Sequence, residues 1–197
     1  MFITRQSIIL KVAVAGILLC SSAATRVAHA QTAHVHGDEQ RVSGALLDTV
    51  RESTARFKDV AVAESEGYSL LFGCVTGDEA GAMGLHYVNL GLYANADGTF
   101  DDVIDPYQPE IILYEPTPWG PKLTGADYIV DAETWNKTHA QAPELDGQIF
   151  HFFDAPNRFG LRPFYTLHVW AWKDSPTGTF VNWNKDVRCD AHNGPNK

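Results

Sequence analysis

The chain has 197 residues and a formal net charge of −9, with 45% hydrophobic and 11% aromatic residues. This length suits one domain, and this apolar content excludes wholesale disorder. An acidic surface repels phosphates, which disfavours nucleic-acid binding, and no apolar run after the N-terminus is long enough to span a membrane.

The first thirty residues have the pattern of a secretory signal peptide. Arg5 and Lys11 supply positive charge, residues 12–19 form a short apolar run, and residues 28–30 form an A-x-A cleavage site. Cys20 follows a leucine rather than a small residue, so a cleaved leader is favoured over a lipoprotein. Cleavage after residue 30 would remove three basic residues and no acidic one, which moves the net charge from −9 to −12. We therefore expect a periplasmic or secreted protein.

The remaining chain is predicted to be one domain preceded by a tail. Residues 31–40 are polar and are expected to be flexible, and residues 41–197 are expected to form a single α+β domain. Two cysteines remain after cleavage, Cys74 and Cys189. An oxidising compartment and an even cysteine count favour a disulfide between them over two buried free thiols.

The hydrophobic pattern predicts a helix followed by strands. Residues 42–66 carry apolar side chains at helical spacing, which predicts one long helix that ends at Gly67. The period then changes to two, and turn signals separate the strands. Prolines between residues 116 and 121 predict a loop, and a short helix is expected around Trp135. The predicted strands cover residues 68–75, 83–93, 110–115, 123–131, 148–153, 163–172 and 179–183.

This order of elements predicts the fold class. A helix followed by a run of strands is typical of an α+β domain. Because no long helices lie between the strands, the sheet should be mainly antiparallel. We expect an N-terminal long helix and a curved sheet or β-barrel, with the helix packed on an open face or end.

Histidines on the predicted strands are the first candidates for chemistry. His86, His151 and His168 each lie within a strand. An imidazole on the inner face of a small barrel is either a metal ligand or a core side chain that hydrogen-bonds to its neighbours. Three such residues on neighbouring strands, with a carboxylate near them, make the two interpretations about equally good.

Glu115 is the predicted carboxylate partner. It shares a strand face with Ile111 and Leu113, and a carboxylate on an apolar face is costly unless it is paired, protonated or bound to a cation. Because Pro116 follows directly, a strand-end glutamate that faces solvent is the alternative. Glu110, at the other end of the strand, is a weaker candidate.

The predicted metal ligands are therefore His86 and His168 first, then Glu115 and His151. Imidazole and carboxylate ligands suit Zn²⁺, Mn²⁺, Fe²⁺ or Cu²⁺, and an open coordination position would permit Lewis-acid or oxygen chemistry. The spacing matches no strong metal motif such as HExxH, and the chain has no GxSxG, P-loop or GxGxxG motif in a suitable context.

Three segments resemble a family of exported bacterial proteins of unknown function. They are GAMGLHYVN (81–89), PEIILYEP (109–116) and LHVWAWKDSPTGTFVNWNKDVRC (167–189). The helical segment 54–68 is similar to the same family. The resemblance implies export and a single-domain boundary, and it implies no catalytic residues.

Together these patterns predict an exported metal-binding β-rich domain, either a metal-dependent enzyme or a protein that only binds the metal. The alternative is a non-catalytic binding module, in which an apolar barrel or a tryptophan-lined cleft holds a small hydrophobic or aromatic ligand. A third interpretation is an interaction protein of the cell envelope with neither metal nor ligand.

Overall fold

A computed structural model describes residues 44–195 of the chain. The predicted signal peptide (1–30) and the predicted flexible segment (31–40) lie outside the described residues. Within the described part, no helix is both long enough and apolar enough to cross a membrane.

The N-terminal helical region is broken, so the prediction of one long helix over 42–66 is wrong. Helix α1 covers residues 44–54 and tightens into a 3-10 turn at Ala55–Lys58. Asp59 then has an extended backbone, with φ −93° and ψ 111°. Its carboxylate accepts a backbone N–H at 3.0 Å and caps a second helix, α2 (Val60–Ser65). The aspartate ends one helix and starts the next because its side chain replaces a missing backbone partner.

The described residues form eight strands, two further short α-helices and a 3-10 turn at Asp78–Ala80. The helices are α3 (Leu90–Tyr93) and α4 (Ala132–Thr138). The strands are β1 (Ser69–Thr76), β2 (Ala82–Val88), β3 (Ile111–Thr117), β4 (Gly120–Asp131), β5 (Glu144–Leu145), β6 (Gln148–Ile149), β7 (His151–Phe153) and β8 (Phe164–Val169). The main sheet is antiparallel in the order β1-β2-β3-β4-β8-β7, and β5 and β6 form a separate pair. The prediction of a mixed fold with a curled antiparallel sheet is confirmed, and the sheet forms a half-barrel.

Several predicted strands differ from the observed ones. The second ends at Val88 because the Asn89 side chain accepts the Gly91 N–H and caps α3. The fifth is divided into β6 and β7. The predicted proline loop is a hairpin in which Pro116 pairs with Pro121, so β3 and β4 extend further than expected. The segment predicted as a seventh strand, 179–183, consists of turns and irregular backbone.

The main sheet is covered on both faces. On one face, α1 packs through Leu46 and Val50 against side chains of β4 and β8. Every residue of β2 is buried, which is typical of a strand with packing on both sides. Polar side chains on the inner face of the curl are therefore kept away from water.

The predicted disulfide is confirmed. Cys74 in β1 and Cys189 near the C-terminus are bonded, with their Cα atoms 5.8 Å apart, and both are buried. Disulfides persist in oxidising compartments, so this bond suggests an extracytoplasmic environment.

The hydroxyl of Tyr114 ties the turn after α1 to the sheet by donating to the carbonyl oxygen of Phe57 at 2.7 Å. Both residues are buried. Because Tyr114→Phe leaves that carbonyl unpaired, we expect it to lower the free energy of unfolding by about 1–2 kcal/mol in urea denaturation. The control, Tyr107→Phe at an exposed position, should change it by less than about 0.5 kcal/mol. Equal stabilities of Tyr114→Phe and the wild type would contradict the role of this bond.

Candidate metal centre

Three buried side chains from separate strands meet on the inner face of the curled sheet. They are His86 of β2, Asp127 of β4 and His168 of β8, and each offers one ligand atom within 4.8 Å of the others. Three inter-strand steps separate β2 from β8, which is about 14 Å in a flat sheet. The centroids of the two imidazoles are only 5.8 Å apart. The curl of the sheet therefore creates this cluster.

The strand register places the three side chains on the same face. Asp127 lies directly opposite His168 and also opposite Ile111, which in turn lies opposite Val88. Directly paired residues project to the same side of a sheet, and so do residues two apart on one strand. His86 is two residues from Val88, so both imidazoles and the carboxylate can contact one ion.

His86 is held in one tautomer. Its Nδ1 lies 3.2 Å from the carbonyl oxygen of Gly84. Because a carbonyl only accepts, Nδ1 carries the proton and Nε2 has the free lone pair that a metal needs. Burial lowers the pKa of His86 to about 4, which keeps the ring neutral. Gly84 itself has φ +86°, and a Cβ there would lie 2.4 Å from the carbonyl oxygen of Tyr114, so this turn of the backbone needs glycine.

His168 is buried, and neither of its ring nitrogens makes a well-formed hydrogen bond to the described residues, although the Asn182 side chain lies close enough to raise its pKa slightly against the other effects. Its Nδ1 lies 3.4 Å from Oδ1 of Asp127. Burial, followed by the nearby His86 and His151, holds the pKa of His168 well below its usual range. A buried polar atom without a partner costs about 1–3 kcal/mol. A cation in contact with this ring would remove that cost.

Asp127 is the carboxylate of the group. It accepts a hydrogen bond from the Thr166 hydroxyl at 2.5 Å. Burial nevertheless raises the pKa of Asp127 to about 7. A cation beside it would favour the ionised form, which is the form that coordinates metals.

A small cavity adjoins the three side chains. Its volume is about 20 Å³, and His86, Asp127, Thr166 and His168 supply its polar lining. The rest of the lining is aromatic and aliphatic. A cavity needs about 10–15 Å³ to hold one water, so this one has room for a single water-sized body.

The structure brings together only two of the residues predicted from sequence. Glu115 lies away from the cluster, where its Oε2 is 2.6 Å from Lys173 Nζ and its Oε1 accepts the Arg188 N–H at 3.0 Å. His151 is exposed on the edge strand β7, and its Nε2 donates to the carbonyl oxygen of Phe180 at 3.1 Å. Neither residue belongs to the group that His86 and His168 form.

Sequence reasoning missed Asp127, which takes the place expected for Glu115. A signal for it was present, because Asp127 interrupts an apolar stretch of the predicted fourth strand. The cost of a carboxylate on an apolar face applies to Asp127 as it does to Glu115. Choosing between them requires the pairing of β4 with β8, which joins distant segments of the chain.

Glu110 is a second buried carboxylate, and it makes stability depend on pH. Its Oε2 accepts the Ile129 N–H at 3.1 Å, and burial raises its pKa from 4.5 to about 8. Between these values the folded chain keeps a proton that the unfolded chain releases, so this group lowers stability as the pH rises from about 4.5 to 8.

Glu110→Gln should remove that loss. As the pH rises from about 4.5 to 8, we expect the free energy of unfolding of the wild type to fall by about 2–4 kcal/mol relative to that of this variant. Urea denaturation at a series of pH values measures it, and the difference between the two profiles isolates Glu110 from the other titrating groups. The control is Glu52→Gln at an exposed helical position, which should follow the wild type. Parallel profiles for Glu110→Gln and the wild type would show that the carboxyl is ionised in the folded state.

The described residues thus include a buried His–Asp–His group that could hold a metal ion. Two imidazoles and one carboxylate form a ligand set that divalent transition metals accept. Comparisons of the chain with protein-family models, curated proteins and solved structures found no match.

Proposed function

We propose that this protein binds one divalent transition-metal ion through His86, Asp127 and His168. The observation that carries the proposal is the approach of three buried ligand atoms to within 4.8 Å of one another, where neither ring nitrogen of His168 makes a well-formed hydrogen bond to the described residues. A metal ion would give these atoms a partner and would offset the cost of burying the carboxylate.

The ligand set suits a divalent transition metal that accepts both nitrogen and oxygen ligands. Two neutral imidazoles and one carboxylate would leave a divalent ion with one net positive charge and with open coordination positions. Zn²⁺, Mn²⁺, Fe²⁺ and Cu²⁺ accept such ligands, and two histidines with one carboxylate and open positions favour Fe²⁺. The open positions would allow Lewis-acid or oxygen chemistry at the centre.

The proposed location is the periplasm or the cell exterior, after removal of residues 1–30. The Cys74–Cys189 disulfide supports an oxidising compartment. The resemblance of residues 81–89, 109–116 and 167–189 to exported bacterial proteins supports the same location. The acidic net charge, −9 for the whole chain, favours cations over phosphates as partners.

The cavity does not support an aromatic ligand at this position. Pockets for drug-sized organic molecules have volumes of about 300–1,000 Å³. The cavity beside His86 and His168 has a volume of about 20 Å³. Metal binding is therefore favoured over a binding module for hydrophobic ligands at this site.

Elemental analysis of protein purified without a histidine tag tests the proposal, together with titration of metal-free protein by Co²⁺. We expect one ion per chain in the wild type. Asp127→Asn keeps the shape of the side chain and removes its charge, and it should weaken Co²⁺ binding by more than about 100-fold, because loss of even an outer-shell partner costs about 10–100-fold.

His151→Ala is the matched control, since His151 was predicted as a ligand and lies outside the group. It should bind Co²⁺ like the wild type. Metal well below one ion per chain in the wild type, or equal affinity in Asp127→Asn, would refute metal binding at this centre.

A further inference from the structure

We propose that the open position of this centre takes a neutral diatomic molecule, such as dioxygen or nitric oxide, and excludes larger ligands. The proposal rests on the metal binding proposed above. It concerns the space and the surfaces beside His86, Asp127 and His168.

The size of the cavity limits the ligand. Its volume of about 20 Å³ is close to that of one water-sized body. The three ligand side chains form part of its wall, so a metal-bound molecule would extend into the remaining space. With the metal held among the three ligand atoms, that space has room for about one water-sized body, so the far atom of a bound diatomic molecule would fill it.

The polarity of the cavity limits the ligand further. Among the described residues that line the cavity, Thr166 is the only polar side chain besides the three ligands, and its hydroxyl already donates to Asp127. An ordered buried water typically needs about three hydrogen bonds. The far end of a metal-bound ligand would therefore meet mainly apolar side chains, which favours a small neutral molecule that does not need hydrogen bonds.

Aromatic rings cover the outer side of the cavity. The ring of Phe159 contacts three other phenylalanines edge-on, with centroids 5.5 Å from Phe72, 6.1 Å from Phe153 and 6.0 Å from Phe164. Phe72, Phe153 and Phe159 line the cavity and are half-buried, so each of them contacts both the cavity and solvent. Phe159 therefore has the central place in a cover that would let small molecules through and hold back larger ones.

The test uses the full-length protein loaded anaerobically with Fe²⁺. Nitric oxide is the small probe and imidazole is the large probe, and both are followed by visible absorption and by EPR. We expect nitric oxide to give a half-integer-spin EPR signal from one adduct per iron, and imidazole to leave the spectrum unchanged.

Phe159→Ala should open the cover. We expect imidazole to bind this variant at least about tenfold more tightly than the wild type, which is the scale of discrimination that small changes in pocket size produce. Phe159→Leu should show a smaller gain, and it remains informative if the alanine variant fails to fold. The control is Phe152→Ala, at an exposed phenylalanine outside the cavity lining, which should behave like the wild type.

Three results would overturn the inference. Iron bound at one ion per chain without a nitric oxide adduct would overturn it and leave the proposed metal binding intact. If imidazole bound the wild type as tightly as it binds Phe159→Ala, the proposed size exclusion would be wrong, and the proposed metal binding would again be unaffected. Failure to bind Fe²⁺ would also overturn it, and the Co²⁺ titration would then decide the proposed function separately.

Discussion

Added metal should strongly stabilise the wild-type protein and should leave the His86→Ala/His168→Ala double variant unchanged. A ligand that binds only the folded state adds RT ln(1 + [L]/Kd), which is about 4 kcal/mol when its free concentration is a thousand times Kd. The three ligand side chains come from three strands, and only the curled sheet brings them within 4.8 Å. The unfolded chain has no such site, so nearly all of the binding energy should add to folding stability.

Thermal unfolding with and without saturating Co²⁺ measures this effect. For a chain of this size we expect the midpoint of the wild type to rise by about 8–16 °C, from about 2–4 °C per kcal/mol. Each protein is compared with itself, because removing two buried imidazoles also changes the stability of the metal-free state.

His139→Ala is the control for this experiment. His139 is exposed, and its ring stacks on that of Trp135 with the centroids 3.7 Å apart. It does not belong to the buried group of candidate ligands. It should keep the full shift. An equal shift in the double variant would mean that the metal binds elsewhere on the chain.

The sheet could be predicted from sequence because its signals are local. Alternating apolar residues and turn-forming residues mark strands one at a time, and the absence of long intervening helices predicts antiparallel pairing. The break at Asp59 could not be predicted in the same way. The apolar pattern continues on both sides of it, and only the observed cap shows that the aspartate begins a new helix.

The metal group could be predicted only in part, because its geometry is non-local. His86 and His168 were found from their places on strands. Asp127 was missed because its position opposite His168 depends on the register of two strands that are distant in sequence. Glu115 satisfied the same rule of a carboxylate on an apolar face, and its pairing with Lys173 and Arg188 depends on a C-terminal segment that folds as irregular backbone.

Breaking the Cys74–Cys189 disulfide should cost about 4–5 kcal/mol of folding stability. The bond joins residues 115 apart, and on the chain-entropy model a loop of about this length restricts the unfolded chain by that amount. The loop contains β2, β3, β4 and β8 entirely, so all three metal-ligand side chains lie within it. The loss of the bond should therefore weaken the part of the sheet that carries the candidate centre.

Two comparisons separate the cross-link from the packing of the sulfur atoms. Urea denaturation of oxidised and reduced wild type measures the cross-link, since both forms keep the sulfur atoms in the core. Denaturation of Cys74→Ala/Cys189→Ala against the reduced wild type measures packing, which should add about 1 kcal/mol because both cysteines are buried. The double variant should not respond to reductant. A loss below about 1 kcal/mol on reduction would mean that the unfolded chain is already compact enough for the bond to restrict little.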